Sequence, residues 1–234
     1  MIKSAFISDK GGRAYNEDSA RECMCGDAYC AVLADGLGGH GGSDLASAAA
    51  CRAICENWDG EISAAKVSKL LLDAHEAIHE LQSGGGQMKS TGVVLLASAE
   101  KVAWGHVGDS RLYWFDDGEL VLQTKDHSAS QIAVCMGQIT QDEIRFHRDR
   151  SRLMKALGQD GSVLPETDET NLFPAKHCFL LCSDGFWEYV LEGEMASALA
   201  VSNSPNEWLA LMEVVVSNRV KGNNDNYTAA AVWL

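Results

Sequence analysis

Between Val93 and Gln123 four strand-like runs follow one another, Val93–Ser98, Val102–Val107, Arg111–Phe115 and Glu119–Gln123, with no helical period among them. Asp117-Gly118 between the last two is a tight hairpin signal. Pairs of helical segments lie on either side. Ser43–Asn57 is Ala-rich, with Ser43 placed to cap it, and Ser63–Gln82 is apolar at Val67, Leu70, Leu71, Ala74, Ile78 and Leu81. Glu192–Ser202 and Asn206–Val220 form the second pair. Lys3–Ser8, Ala28–Ala34, His177–Ser183 and Tyr227–Leu234 read as further strands, Gly11–Asp18 as a polar loop, and 127–157 as mainly helical and polar. Helix pairs alternate with runs of strands and there is no βαβ alternation, so the expected class is α+β, with antiparallel sheets and helices packed outside them. No linker or internal repeat divides it, and one domain over 1–234 is expected.

Charge narrows the function classes. The 33 Asp and Glu exceed the 19 Lys and Arg, a net −14, so nucleic acid and anionic membranes should be repelled. No apolar run approaches the roughly 18 residues of a membrane helix, and MIKSAFISDKGG lacks the apolar core of a signal peptide. The eight cysteines contain no CxxC pair, and most sit in apolar runs, as in YCAVLAD and HCFLLCSD. They read as reduced thiols in a reducing compartment, so a cytoplasmic protein is expected, and a monomer.

Asp-Gly ordinarily marks a turn, and Asp117-Gly118 and Asp160-Gly161 keep that reading. Asp35-Gly36 and Asp184-Gly185 differ, because each ends a run that is apolar almost throughout, AVLAD and CFLLCSD. Such strands lie in the core, so the terminal carboxylate emerges at the core's end. Asp109 ends WGHVGD in the same way, and Asp225 sits in NNDN just before YTAAAVWL. If these four rims share one mouth, each pair of carboxylates repels by roughly 1–4 kcal/mol, and a hard divalent cation relieves the repulsion. Four separate turn acids would give the same spacing.

The motifs in between resemble a known family. Arg13-Ala-Tyr-Asn16-Glu17-Asp18-Ser19 is similar to the R-x-x-N-E-D-S opening of the type 2C metal-dependent Ser/Thr protein phosphatases, and Asp35-Gly36-Leu-Gly-Gly-His40 to their D-G-M-G-G-H. Ser90-Thr91-Gly92, Gly108-Asp109-Ser110-Arg111, Lys125-Asp126-His127-Ser128, Ala156-Leu157-Gly158, Cys182-Ser183-Asp184-Gly185 and Asp225-Asn226-Tyr227-Thr228 resemble the remaining motifs, in family order and across the whole chain. The compact length looks like the stand-alone bacterial branch.

The resemblance implies a four-layer αββα sandwich, two stacked antiparallel sheets flanked by helix pairs. It implies hydrolysis of phosphoserine and phosphothreonine on proteins, opposing a Ser/Thr kinase, by attack of a hydroxide bridging two Mn²⁺ or Mg²⁺ ions. Asp35 would bridge the ions, with Asp184 and Asp225 on one and the Gly36 carbonyl and Glu17 on the other. Asp18 would hold metal-bound waters, Arg13 the phosphate, and Asp109 with Asp184 a weaker third ion. Two departures stand out. Leu37 replaces a His proposed as leaving-group acid in many relatives, leaving His40 or a metal-bound water as substitutes. Glu188 stands where relatives often carry Asp, which bears on the third ion's waters.

Two features compete with this reading. His75-Glu76-Ala77-Ile78-His79 is a literal H-E-x-x-H, the zinc-protease motif, but it lies off the apolar stripe of its helix and is expected at the flank or surface. A degenerate relative that only docks phosphoproteins would typically have lost metal acids, which are all present here. Arg145, Arg148, Arg150 and Arg152, with His147, form a basic knot within a region (127–152) that matches the family's flap. It reads either as a dock for acidic phosphopeptides or as a solvated helix face.

Overall fold

The computed structural model describes residues 1–38, 42–83 and 87–234. One sheet runs β1 (Lys3–Asp9), β11 (Tyr227–Trp233), β10 (His177–Cys182), β7 (Arg111–Asp116), β8 (Glu119–Gln123). The other runs β2 (Asp18–Cys25), β3 (Ala28–Leu37), β5 (Gly92–Ala97), β6 (Lys101–Val107), β9 (Glu166–Asn171), with β4 (Lys89–Ser90) beside the end of β3. Every pairing among these strands is antiparallel.

The sheets stack face to face through Leu33, Val93, Leu95, Leu112, Phe179, Leu181 and Val232, all fully buried. Helices α1 (Ser43–Asn57) and α2 (Ala64–Gln82) cover the outer face of the second sheet, setting Ala46, Ile54, Leu70 and Ile78 on Val32, Val94 and Leu96. Helices α5 (Glu192–Val201) and α6 (Pro205–Arg219) cover the first, setting Met195, Trp208 and Met212 on Phe115, Leu180 and Ala231. The four layers explain why β3 and β10 carry no alternation. Each is an interior strand of its sheet and covered on both faces, so Tyr29–Ala34 and Cys178–Cys182 are apolar throughout, and each large side chain there contributes about 1.5–3 kcal/mol.

Four local expectations are corrected. Ser43 is the first helical residue rather than the cap; Gly42, at φ 92°, precedes it, and the Ser43 hydroxyl donates to the Gly38 carbonyl instead. The stretch 127–157 holds only α3 (Ala129–Cys135) and a 3₁₀ turn, Asp142–Phe146; Gly137, at φ 69°, takes the chain out of α3. β2 and β9 were not expected as strands. DSARECMC and ETDETN are polar edge strands with little to bury, so they lack an apolar signal. By contrast Asp117 and Gly118, at φ 46° and 90°, form the expected hairpin turn.

Helix α4 (Asp184–Trp187) follows β10 directly. Because neighbours are antiparallel, the end of β3 and the start of β2 lie together, with Asp35 opposite Asp18. The end of β10 likewise meets the start of β11. One edge of the sandwich therefore collects the strand ends that carry acids.

Candidate active site

Five aspartates meet at that edge. Asp18 opens β2, Asp35 lies near the end of β3, Asp109 follows β6, Asp184 opens α4, and Asp225 precedes β11. Burial, then the charges of Asp18, Asp184, Asp109 and Asp225, pushes the Asp35 carboxyl far above the usual carboxylate range. Burial, then Asp184, does the same to Asp109. Asp184 is raised to about 7 by burial, Glu188 and Asp225. Asp18 is raised to about 6 by burial, against hydrogen bonds that favour its charge. Mutual elevation of this kind requires that the four separate rims share one mouth.

The backbone around the acids is built for close approach. A Cβ on Gly36 would lie 2.2 Å from the Ser43 carbonyl oxygen, and one on Gly185 would lie 2.0 Å from that of Asn226. Glycine follows these two aspartates because another chain segment passes against it. Gly118 and Gly161, with open space around them and φ of 90° and 80°, are glycines for a turn. The same dipeptide thus has two physical causes.

Small polar side chains hold the acids in place. The Asp35 amide donates to Thr91 Oγ1 at 2.9 Å, and Ser90 Oγ donates to the Asp35 carbonyl at 2.8 Å. Thr91 Oγ1 in turn meets Ser110 Oγ at 2.6 Å. Ser183 Oγ donates to Asp18 Oδ2 at 2.7 Å and accepts the Thr228 amide at 3.0 Å, joining the two sheets. Asn226 Oδ1 accepts the Glu17 amide at 2.8 Å, and the Glu17 carbonyl accepts the Gly36 amide at 3.1 Å. Sequence reasoning had given no role to Ser110, Ser183, Asn226 or Thr228. The available signal was adjacency, since each lies within two residues of Asp109, Asp184 or Asp225 or within three of Asp225.

Arg13 is exposed and donates from Nη2 to Asp225 Oδ2 at 2.7 Å, which fixes a guanidinium at the edge of the acid cluster. Glu17 is half-buried beside it. Leu37 pairs with Lys89 and offers no proton, and His40 lies outside the described residues. Glu188 forms an ion pair with Arg150 at 2.5 Å and raises Asp184 by its charge.

The basic knot splits. Arg145 is buried, paired with Glu192 and stacked near Trp187, so it presents no docking surface. Arg150 is half-buried against Glu188, while Arg148 and Arg152 are exposed. The knot is turns rather than one helix face.

His75 is also corrected, because it is buried rather than at the surface. Its Nδ1 accepts the Gly158 amide at 3.0 Å, which puts the proton on Nε2, facing the Gly161 carbonyl at 3.2 Å. His79 Nε2 reaches the Gln159 carbonyl at 3.0 Å. The pair staples the 158–161 loop to α2, and the nitrogens a zinc ion would need are engaged with backbone. The loop is more than 75 positions away in sequence, which is why helical phase alone misplaced His75.

The acid cluster suits a hard cation. Asp18 Oδ1 is buried without a hydrogen-bond partner, and the surrounding donors are carboxylate and carbonyl oxygens, the set that Mg²⁺ and Mn²⁺ prefer. Residues 12–215 match the family profile described as protein phosphatase 2C. The chain is 32% identical to the serine/threonine protein phosphatase PstP of Mycobacterium tuberculosis over 97% of its own length and 44% of that protein, so it spans less than half of that relative. It is 29% identical to the serine/threonine phosphatase stp of Listeria welshimeri, over 99% of this chain and 95% of that one. The catalytic domain of PstP solved in complex with two manganese ions superposes with a TM-score of 0.83 at 29% identity, covering 99% of this chain and 97% of that one. The chain belongs to the protein phosphatase 2C family, and its four layers are those of that fold.

Proposed function

We propose that this chain is a Mn²⁺- or Mg²⁺-dependent protein phosphatase that hydrolyses phosphoserine and phosphothreonine monoesters on proteins. The observation that carries the reading is the shared mouth of five aspartates, four of them driven upward by burial and by one another; Arg13 pairs only with Asp225, and Asp18, Asp35 and Asp184 have no ion pair among the described residues. Asp35, Asp184, Asp225, the Gly36 carbonyl and Glu17 would hold two ions, and Asp109 with Asp184 a weaker third. The bound ions supply positive charge that offsets these acids and the substrate phosphate, and the Lewis acidity that monoester hydrolysis needs.

The chain's own groups do the rest. Arg13 presents a planar donor fork to phosphate oxygens, oriented by its bond to Asp225. Asp18, held through Oδ2 by Ser183 with Oδ1 left without a protein partner, would hold metal-bound waters. Arg148 and Arg152 are the flap arginines exposed to meet an acidic phosphopeptide. The finer parts of the reading are one catalytic domain over 1–234, a flap at 127–152, a monomeric state and a Ser/Thr kinase as the opposing activity. A cytoplasmic setting is supported by eight free thiols, and no helix among the described residues is long and apolar enough to cross a membrane. The presence of every metal acid disfavours a module that only docks phosphoproteins.

Phosphate release from a phosphothreonine peptide tests the proposal. Turnover should stop with chelator, return with Mn²⁺, and be absent at any Mn²⁺ concentration in Asp35→Asn. Undiminished turnover in chelated protein would overturn the metal-dependent reading.

A further inference from the structure

The second sheet carries another compact group of donors, away from the acids. Cys23 of β2 and Cys30 of β3 are directly opposite in the strand register, and Cys55 of α1 packs over them. The three sulfur atoms all lie within 4.8 Å of one another. Cys30 is fully buried, while Cys23 and Cys55 are half-buried, so the group opens to solvent on one side. All three thiols are free.

Three sulfurs around one ion at the usual zinc–sulfur length of about 2.3 Å sit about 4 Å apart. The observed spread reaches that arrangement by small side-chain rotations. We propose that Cys23, Cys30 and Cys55 bind one soft d¹⁰ ion, zinc or cuprous copper, which clips α1 onto the β2–β3 pair. Thiolate is the donor that selects these ions over the hard Mn²⁺ and Mg²⁺ suited to the oxygen-lined mouth, so one chain keeps two kinds of ion apart by donor chemistry.

Cys23 Sγ also donates to the Cys55 carbonyl at 3.8 Å, which already ties the thiol of β2 to α1. Thiolate is the donor form, so the ion displaces the thiol protons on binding. The other compact donor group among the described residues, His106, His127 and Glu166, is committed to contacts within the protein, with His106 Nε2 on the Lys125 carbonyl at 2.8 Å. His127 Nδ1 accepts the Gly108 amide at 3.2 Å, so its Nε2, the atom facing Glu166, keeps the proton.

The test uses the whole reduced, chelator-stripped chain with Mn²⁺ then added to fill the carboxylate mouth. Cd²⁺ titration should raise a thiolate-to-metal charge-transfer band that saturates at one equivalent, and Zn²⁺ or Cu⁺ should displace it. Peptide mapping should find Cys23 and Cys55 protected from alkylation by the ion, with exposed Cys135 still reactive. The thermal midpoint should rise on ion addition. A Cys23→Ser, Cys55→Ser double variant, checked as folded by circular dichroism, should lose the band, the protection and the rise; Cys135→Ser should keep all three. Absence of the band in the wild type, or its persistence in the folded double variant, would overturn the site.

Discussion

Two sets of buried aspartates lie within one region of the molecule and differ in one respect. Asp126 is buried and receives a two-pronged guanidinium, Arg111 Nε to Oδ1 at 2.7 Å and Nη2 to Oδ2 at 2.8 Å. Arg111 is itself fixed, stacked 3.5 Å over Trp187 and donating to Tyr113. Asp35, Asp18 and Asp184 feel chiefly burial, other acids and a few hydroxyl and amide donors, and the Arg150 guanidinium near Asp184 is taken up by Glu188. Asp109 stands between the sets, raised by Asp184 and lowered by Arg111. Burial of an acid is therefore not by itself the mark of function. The mark is burial without a resident protein cation, since the fold then holds charge that only a ligand can compensate.

The sharpest way to break that contrast is to remove the cation that Asp126 has. Arg111→Met should cost about 3–5 kcal/mol, because it strands a buried carboxylate. Urea unfolding would show it as a lower midpoint. A midpoint near that of the wild type would mean that Asp126 is as tolerant of isolation as the acids of the mouth, and the distinction would fail.

The second effect is in pH. Asp18 is raised to about 6 and Asp184 to about 7, whereas an unfolded aspartate titrates near 3.9. Between these values the folded, metal-free chain holds protons that the unfolded chain has released. Its stability should therefore fall as pH climbs from about 4 through about 6 to 7, with Asp18 alone accounting for something on the order of 3 kcal/mol. Saturating Mn²⁺ should flatten the curve at its upper end. Unfolding in chelator across this range checks it, and stability that rises with pH would contradict the elevated carboxyls.

How far this was legible beforehand follows the same physics. The apolar runs ending at Asp35 and Asp184 are visible because a strand covered on both faces leaves no polar position. That these ends share a mouth with Asp18, Asp109 and Asp225 is not visible in spacing, and came only from the order of motifs resembling a family. The meeting of Arg111 with Asp126 was equally hidden, since their two motifs are joined by the packing of β7 and the loop after β8. The strands β2 and β9 escaped notice because edge strands need no apolar face.

A smaller effect extends the contrast to histidine. His75, like Asp126, is a buried polar group already satisfied by the protein, through the Gly158 and Gly161 backbone. His75→Ala should lower stability by about 1–3 kcal/mol through the orphaned amide, while turnover per folded molecule stays close to that of the wild type. Parallel urea unfolding and peptide turnover would check both halves. Turnover lost in folded protein, together with bound zinc, would return the H-E-x-x-H segment to consideration.

The central claim is that the mouth is an acid cluster awaiting cations, and neutralising its middle tests that directly. Asp35→Asn and the wild type should be compared by calorimetric unfolding at pH 7, each in chelator and in Mn²⁺. In chelator the variant should be at least as stable as the wild type, because one member of a mutually repelling set has lost its charge. Mn²⁺ should raise the midpoint of the wild type and raise that of the variant far less. A variant that is less stable in chelator and is stabilised by Mn²⁺ to the same degree as the wild type would show that Asp35 is a structural strand-end residue and that the ions bind elsewhere.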